Sequence, residues 1–383
     1  MNTYLSKRKA MKIVIDSKIP YIKGYAELLG ETVYIPGGEI SPADIKDADA
    51  MIIRTRTHCN KGLLEGSNVK FVATATIGYD HIDTAYMKEA GISWTNCPGC
   101  NAHSVAQYIE CCLLQLAAHG CWQKEDSLSP ITAPIDVHTL DRSVFKQLTL
   151  GIIGVGNVGR AVLAEAKRMN FADILLCDPP RADREGKEGF SSLDEIAQKA
   201  DIITFHTPLT HSPATPYPTF HMANKRFFEM LKPSAVVINS SRGEVVDTLA
   251  LKQAISSNKI RAAVIDTWED EPHIDLQLLQ QAFIGTPHIA GYSADGKANG
   301  TRMALQAVAE FFGHDTSVFD DIKAPTLPAD YSYYPEGNGR LIAPELKFYD
   351  PTRDTIALKS SPEQFELLRG NYPLRRESNS LEQ

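Results

Sequence analysis

Residues 148–159, LTLGIIGVGNVG, constrain this chain more than any other stretch. Residues 148–153 form an apolar, β-branched run of a length that suits one buried strand. The run enters a G-x-G-x-x-G made of Gly154, Gly156 and Gly159, with Asn157 and Val158 inside it. The following RAVLAEAKRM places Val162, Leu163, Ala166 and Met169 on one helical face. Strand, glycine turn and helix together form the context in which this motif binds a dinucleotide. The first glycine permits the turn, the second admits a pyrophosphate to the backbone, and the third lets helix pack on strand. The helix N-terminus offers free N–H groups to the phosphates. A second strand over 173–177 (DILLC) ends at Asp178, 24 residues beyond Gly154. An acid there accepts hydrogen bonds from the adenosine ribose and repels a 2′-phosphate, although Arg181 stands close by. NAD is therefore the expected cofactor.

A length of 383 residues holds two or three domains. The net charge of −8 argues against a nucleic-acid or anionic-membrane surface. No apolar run approaches the ~20 residues of a membrane span, and the N-terminus lacks an apolar signal core. Whether Met11 is the native start, with residues 1–10 a disordered lead-in, stays open. Seven cysteines, an odd number, suit a reducing cytoplasm better than a disulfide framework. Cys97-Pro-Gly-Cys100 reads as a loop entering a helix. No second pair lies at zinc spacing, and no metal is expected.

Strands are expected at 12–16, 33–35, 50–53 and 69–74, with helices such as 21–29 and 61–65 between them. That alternation predicts a parallel sheet, whose active groups lie beyond the carboxyl ends of its strands. The loops at 54–57 and 76–80 occupy such ends. A long helix over 101–119 is apolar on more than one face and so buried. Residues 123–136 form a Pro- and Ser-containing excursion. The later strands are 201–205, 235–239 and 262–265, with a surface loop at 210–220. A helix within 292–314 returns the chain to the first domain. From Thr316 the composition turns to Tyr, Pro and Gly, then to a strand-like piece (341–350) and a helix-like one (361–377). Such a module is too small for its own core and calls for a partner. The expected domains are 1–100 with 292–315, 101–291, and 316–383.

Three residues at strand ends suit one chemistry. Moving hydride from a hydroxyl carbon to NAD needs a base, which His288 in GTPHIAGY can provide near neutral pH. It needs a cation for the substrate carboxylate, which Arg242 in INSSRGEVVD can provide in bidentate fashion. It gains from an acid that orients the imidazole, which Glu271 in IDTWEDEP can provide. Alone, each residue has an ordinary reading as a surface charge or turn residue; behind the nucleotide motif they form a set.

Residues 12–314 resemble the D-isomer-specific 2-hydroxyacid dehydrogenases, through GIIGVGNVGR, Asp178, INSSRGEVVD, IDTWEDEP and TPHIAGY. The resemblance implies an α/β fold of two Rossmann-like, doubly wound parallel-sheet domains with a cleft between them. It implies that Arg242 binds the substrate carboxylate and carbonyl, that Glu271 pairs with His288, and that His288 gives or takes the proton. It places Asp266 at the nicotinamide carboxamide and Thr207 along the cofactor. FVATATIGYDHID, CPGCNAHSVAQYIE, LLCDPPRADR, FHTPLT, IGTPHIAGYSADGKANGT and FELLRGNYPLRRE resemble a subgroup that acts on a phosphorylated hydroxy acid. That subgroup adds a small C-terminal α+β dimerisation domain, which implies a homodimer. There Thr55, Thr76 and Tyr292 touch substrate and Gly291 the cofactor; Thr55 stands where Ser is common and keeps the hydroxyl. Arg54 and Arg56, with the hydroxyls of Thr55 and Thr57, suit a phosphate, although strand alternation aims at most one arginine at it. Two alternatives stay open: the D-3-phosphoglycerate branch, which shares an RTRTH-like loop, and an NAD-sensing corepressor that keeps the same Arg, Glu and His. Also open are whether NAD exchanges or is recycled in place by a 2-oxo acid, and whether Arg369, Arg375 or Arg376 completes a partner's site.

Overall fold

The computed structural model describes residues 11–122, 128, 131, 140–326, 344–373 and 375–377. Residues 1–10, most of the excursion at 123–136 and residues 327–343 of the expected third module lie outside the described residues. The rest divides into two compact units. One joins the described residues up to Asn101 to Ala294–Thr326, and the other joins Ala102–Ser293 to the described residues beyond 327.

The first unit is a five-stranded parallel sheet of β1 (Lys12–Asp16), β2 (Glu31–Ile35), β3 (Ala50–Ile53), β4 (Phe71–Thr74) and β5 (Ser93–Thr95), in the order β2-β1-β3-β4-β5. AMII and FVAT are buried at every position, as expected of strands covered on both faces. The chain reverses direction between β1 and β3, so their carboxyl ends form the switch point where such sheets bind ligands. The helix expected at 21–29 is only a short 3₁₀ turn, Ala26–Leu28. Tyr21 at φ 60° and Gly24 at φ 88° break the run. β5 was not expected. Cys97 is buried, and its thiol donates to the Thr74 and Gly300 carbonyls at 3.3 Å each. Burial pushes that thiol well above the ordinary range, so Cys97 offers no ready thiolate.

The second unit holds β6 (Thr149–Ile153), β7 (Asp173–Cys177), β8 (Ile202–Phe205), β9 (Ala235–Asn239), β10 (Ile260–Ile265) and β11 (Ile284–Gly285). All pairs are parallel, in the order β11-β10-β9-β8-β6-β7. Side chains alternate between two cores. Leu150, Ile152, Val236 and Ile238 face the long helix Ala102–Ala118, while Ile153, Ile203, Val237 and Ala263 face the helices on the other side. Both sheets are thus doubly wound.

The described tail is no separate module. Residues up to Thr326 stay with the first unit, and those from 344 onward pack on the second. The strand-like stretch at 341–350 contains a 3₁₀ turn, Pro344–Lys347, and the helix Pro351–Ser360 follows. Leu346, Tyr349 and Tyr372 join the core beneath Ala102–Ala118, and Leu358 and Phe365 join the other. Asp354 is enclosed there and accepts from the hydroxyls of Tyr349 and Tyr372 at 3.0 Å each.

Burial drives the Asp354 carboxyl up to about 7, against the pull of the two tyrosines and Arg375. Such a carboxyl binds its proton more tightly when folded than in the unfolded chain, where its pKa is about 3.9. Its contribution to stability is full below about pH 4 and is lost as pH rises toward 7. Asp354→Asn is therefore expected to stabilise the second unit at pH 8, by about 1–2 kcal/mol after residual hydration of the charge. Near pH 4 it should do nothing. Urea unfolding midpoints at the two pH values check this, and equal differences at both would refute it.

Candidate active site

The strand order of the second unit sorts the candidate residues along one edge. Beyond the carboxyl ends of β11, β10, β9, β8, β6 and β7 come His288, Asp266 with Glu271, Arg242, Thr207, Gly154–Gly159 and Asp178, in that order. Five gaps of about 4.8 Å spread them over roughly 24 Å. Nucleotide candidates lie at one end and proton-transfer candidates at the other.

At the nucleotide end each glycine has its own reason. Gly154 has φ 86°, and a Cβ there would stand 2.6 Å from the His206 carbonyl oxygen. A Cβ on Gly159 would overlap the Gly154 carbonyl. A Cβ on Gly156 would meet no atom within 4 Å, so backbone opens there onto free space. The helix Asn157–Arg168 begins beside that space with no side-chain cap on its first N–H groups, a fit for a pyrophosphate. Thr207 adds a buried hydroxyl with no hydrogen-bond partner among the described residues, as expected of a group awaiting a ligand. Asp178 accepts from Val155 N at 2.8 Å and caps the helix Pro179–Glu185 through Arg181 N at 3.0 Å. Arg181 is engaged with Glu185 and the Val155 carbonyl. These residues fit NAD.

At the other end Glu271 and His288 meet. His288 Nδ1 lies 3.0 and 2.8 Å from the two Glu271 oxygens, so any proton exchange with a ligand falls to Nε2. Trp268 N donates to Glu271 Oε1 at 3.0 Å. Burial alone would raise the Glu271 carboxyl, but the charge and hydrogen bond of His288, with the Arg369 charge, hold it below its ordinary range. Asp270 and His288 themselves sit at φ 58° and 56°, rare for side-chain-bearing residues. Such backbone costs about 1–3 kcal/mol each and persists where the surroundings impose it. Around His288 the surroundings include Asp266. It is 1% exposed and accepts from Thr286 Oγ1 (2.6 Å), Ile289 N (2.8 Å) and Ala290 N (3.0 Å), pinning the loop that carries His288, Gly291 and Tyr292. Burial raises its carboxyl. Oδ2 keeps lone-pair capacity for a further donor, such as a carboxamide.

Arg242 follows β9, its Nη1 donating to the Ser241 carbonyl at 2.8 Å. Its neighbour Gly243 was not singled out from sequence. A Cβ there would overlap the Trp268 carbonyl, so the Arg242 turn lies directly on the loop that carries Glu271. Tyr292 packs edge-on to Tyr372 of the tail at 6.1 Å between centroids.

The substrate candidates of the first unit gather at its own strand ends. Arg54 follows β3, and its Nε meets Asp16 Oδ2 at 3.1 Å, across the switch point. Asp16 is 1% exposed and fixes the arginine that emerges beside it. Arg56 and Thr55 are exposed. Thr76 Oγ1 donates to the Gly78 carbonyl at 2.9 Å and touches Thr74 Oγ1 at 2.7 Å, with His81 Nε2 behind at 3.0 Å. Asp16 and His81 went unmarked in the sequence, although Asp16 closes a strand just as Asp178 does.

Residues 135–290 match the family described as D-isomer specific 2-hydroxyacid dehydrogenase, NAD binding domain. Solved structures of similar fold include a D-lactate dehydrogenase from Aquifex aeolicus complexed with NAD and lactic acid. It is 22% identical with a TM-score of 0.62, covering 82% of this chain and 100% of that one. A cofactor-bound 3-phosphoglycerate dehydrogenase from Entamoeba histolytica is also 22% identical, with a TM-score of 0.61 and coverage of 83% and 100%. The chain belongs to the D-isomer specific 2-hydroxyacid dehydrogenase family. Within it, a relative from Bacteroides fragilis named erythronate-4-phosphate dehydrogenase is 49% identical over 97% of this chain and 98% of its own length. One of the same name from Shigella flexneri is 41% identical over 97% and 93%.

Proposed function

We propose that this protein oxidises 4-phospho-D-erythronate to (R)-3-hydroxy-2-oxo-4-phosphobutanoate with NAD, a step of pyridoxal 5′-phosphate synthesis. The single observation that carries the reading is the Glu271–His288 pair at 2.8 Å, set one strand end from Arg242 on the edge that also bears the glycine turn. The relatives' names favour the phosphorylated four-carbon acid. Bound NAD supplies the hydride acceptor. Arg242 holds the substrate carboxylate and polarises the carbonyl as it forms. His288 Nε2 takes the hydroxyl proton, and Glu271 orients the ring and stabilises the imidazolium. Gly154, Gly156, Asn157, Val158, Gly159, Asp178, Thr207, Asp266 and Gly291 hold the cofactor; Arg54, Thr55, Thr76 and Tyr292 hold the substrate. NADH formation with 4-phospho-D-erythronate, set against 3-phospho-D-glycerate, is the test. Preference for the three-carbon acid would overturn the substrate, and no turnover of either would point to a sensor.

Arg54 takes the phosphate in this reading, held ready by Asp16. Arg54→Ala is expected to raise KM for the phosphorylated acid about tenfold or more, the scale of one charge-assisted hydrogen bond. KM for an unphosphorylated 2-hydroxy acid should change far less. Equal effects on both would remove Arg54 from the phosphate.

The enzyme works as a homodimer joined through the C-terminal segment, whose helices leave Ile356 and Leu367 42% and 55% exposed. Its place is the cytoplasm: all seven cysteines are free thiols. Among the described residues no helix is long and apolar enough to cross a membrane.

A further inference from the structure

The tail helix Phe365–Gly370 brings Arg369 to the Glu271 carboxylate. Its Nη1 lies 3.5 Å from Oε2, the same oxygen that His288 Nδ1 approaches at 2.8 Å. Arg369 is 19% exposed, and its Nε is buried without a hydrogen-bond partner among the described residues. At 3.5 Å and with one nitrogen, the pair is not a bidentate clamp; its influence is chiefly Coulombic, and strong because the carboxylate is nearly enclosed.

Two cations sharing one carboxylate have a definite consequence. Glu271 by itself favours a protonated His288, which aids the proton's arrival but hinders its release. A fixed guanidinium at that shared oxygen keeps Glu271 ionised and in place, and at the same time opposes a second positive charge on the imidazole. Asp266, from the loop after β10, also feels the His288 charge, and its oxygens are turned to the Ile289 and Ala290 N–H groups. The same tail grips that loop again a few residues on. Arg375, 1% exposed, donates to the Ile289 carbonyl at 2.9 Å and to the Ala290 carbonyl, with its guanidinium 4.1 Å from the Tyr349 ring centre.

We propose that Arg369 is a positioning residue for hydride transfer: it acts through Glu271 to set the geometry and proton affinity of His288, making the C-terminal tail part of the reaction machinery. This rests on His288 as the base. It does not rest on which hydroxy acid is the substrate.

The experiment compares the full-length wild type with Arg369→Met, Arg369→Lys, Glu271→Gln and Arg369→Met/Glu271→Gln. Each is assayed on 4-phospho-D-erythronate and on whichever D-2-hydroxy acid of a panel the wild type oxidises best. Arg369→Met should lower kcat about tenfold or more with KM within about twofold, as for loss of a group supporting a catalytic residue. Without the cation the imidazole keeps its proton more readily, so the acid limb of kcat/KM should move to higher pH by about half a unit or more. Lys at 369 should restore most of both effects. In the Glu271→Gln background, loss of Arg369 should add less than about twofold, because the two act as one unit. A rise in KM with kcat unchanged would overturn the proposal in favour of direct substrate contact. Unchanged kcat and pH profile, or factors that multiply in the double variant, would also overturn it. A wild type that prefers another acid would refute the substrate reading alone, since the Arg369 comparison still reads on that acid.

Discussion

Replacing His288 with Gln is expected to lower kcat for oxidation by about a thousandfold, within the range of roughly 10² to 10⁴ that a positioned general base contributes. NADH affinity should stay within about twofold, because the glycine turn, Thr207 and Asp178 lie three or more strand positions away along the sheet edge. The loss should have a characteristic pH signature. A histidine that accepts a proton must start neutral, so kcat/KM of the wild type falls as the medium turns acid, and the residual activity of His288→Gln lacks that fall. Steady-state rates between pH 5 and 9, with NADH binding followed by fluorescence, test both points. A wild-type kcat/KM flat down to pH 5 would remove His288 from the base role. The Glu271 carboxylate, held ionised by His288 and Arg369, stays charged across the whole range, so one limb and not two is expected on the acid side.

How much of this was legible beforehand depended on how local each signal is. The glycine turn, Asp178, Arg242, Glu271 and His288 are each read within about ten residues, since a strand end, a turn and a functional side chain follow one another along the chain. Strands such as KIVID, AMII and AVVIN are short buried runs of the right composition, and they form where expected. What depends on distant partners was hidden. Nothing in the residues around Arg54 points to Asp16, because they meet only where β1 and β3 become neighbours. Arg369 reaches Glu271 only because the tail folds onto the second unit. The tail, read from sequence as too small for a core of its own, packs on the second unit: composition marks a change of style at Thr316, but not the surface on which Leu358 and Phe365 become core. The helix expected at 21–29 fails for a local reason: Gly24 at φ 88°, in the middle of the run, outweighs the apolar spacing.

Gly243 shows how far the proton-transfer site depends on an absent side chain. It follows Arg242, and a Cβ built on it would overlap the Trp268 carbonyl and crowd the Glu269 amide. Both are backbone, fixed at the start of the loop whose Trp268 N–H holds Glu271. Neither can rotate away as a side chain could. Gly243→Ala must therefore push the Arg242 turn and the Glu271 loop apart, by a distance on the order of 1 Å, the scale at which misplaced catalytic groups lose about a hundredfold in rate. The expected result is a kcat lowered at least about a hundredfold, with KM also raised because Arg242 moves with its turn. NADH binding should survive, since Gly154, Gly156 and Gly159 follow a different strand. That combination distinguishes a broken site from a broken fold, as a general loss of packing would take cofactor binding with it. If Gly243→Ala kept wild-type kcat, the close approach of the two loops would not be what brings carboxylate binding and proton transfer to one substrate.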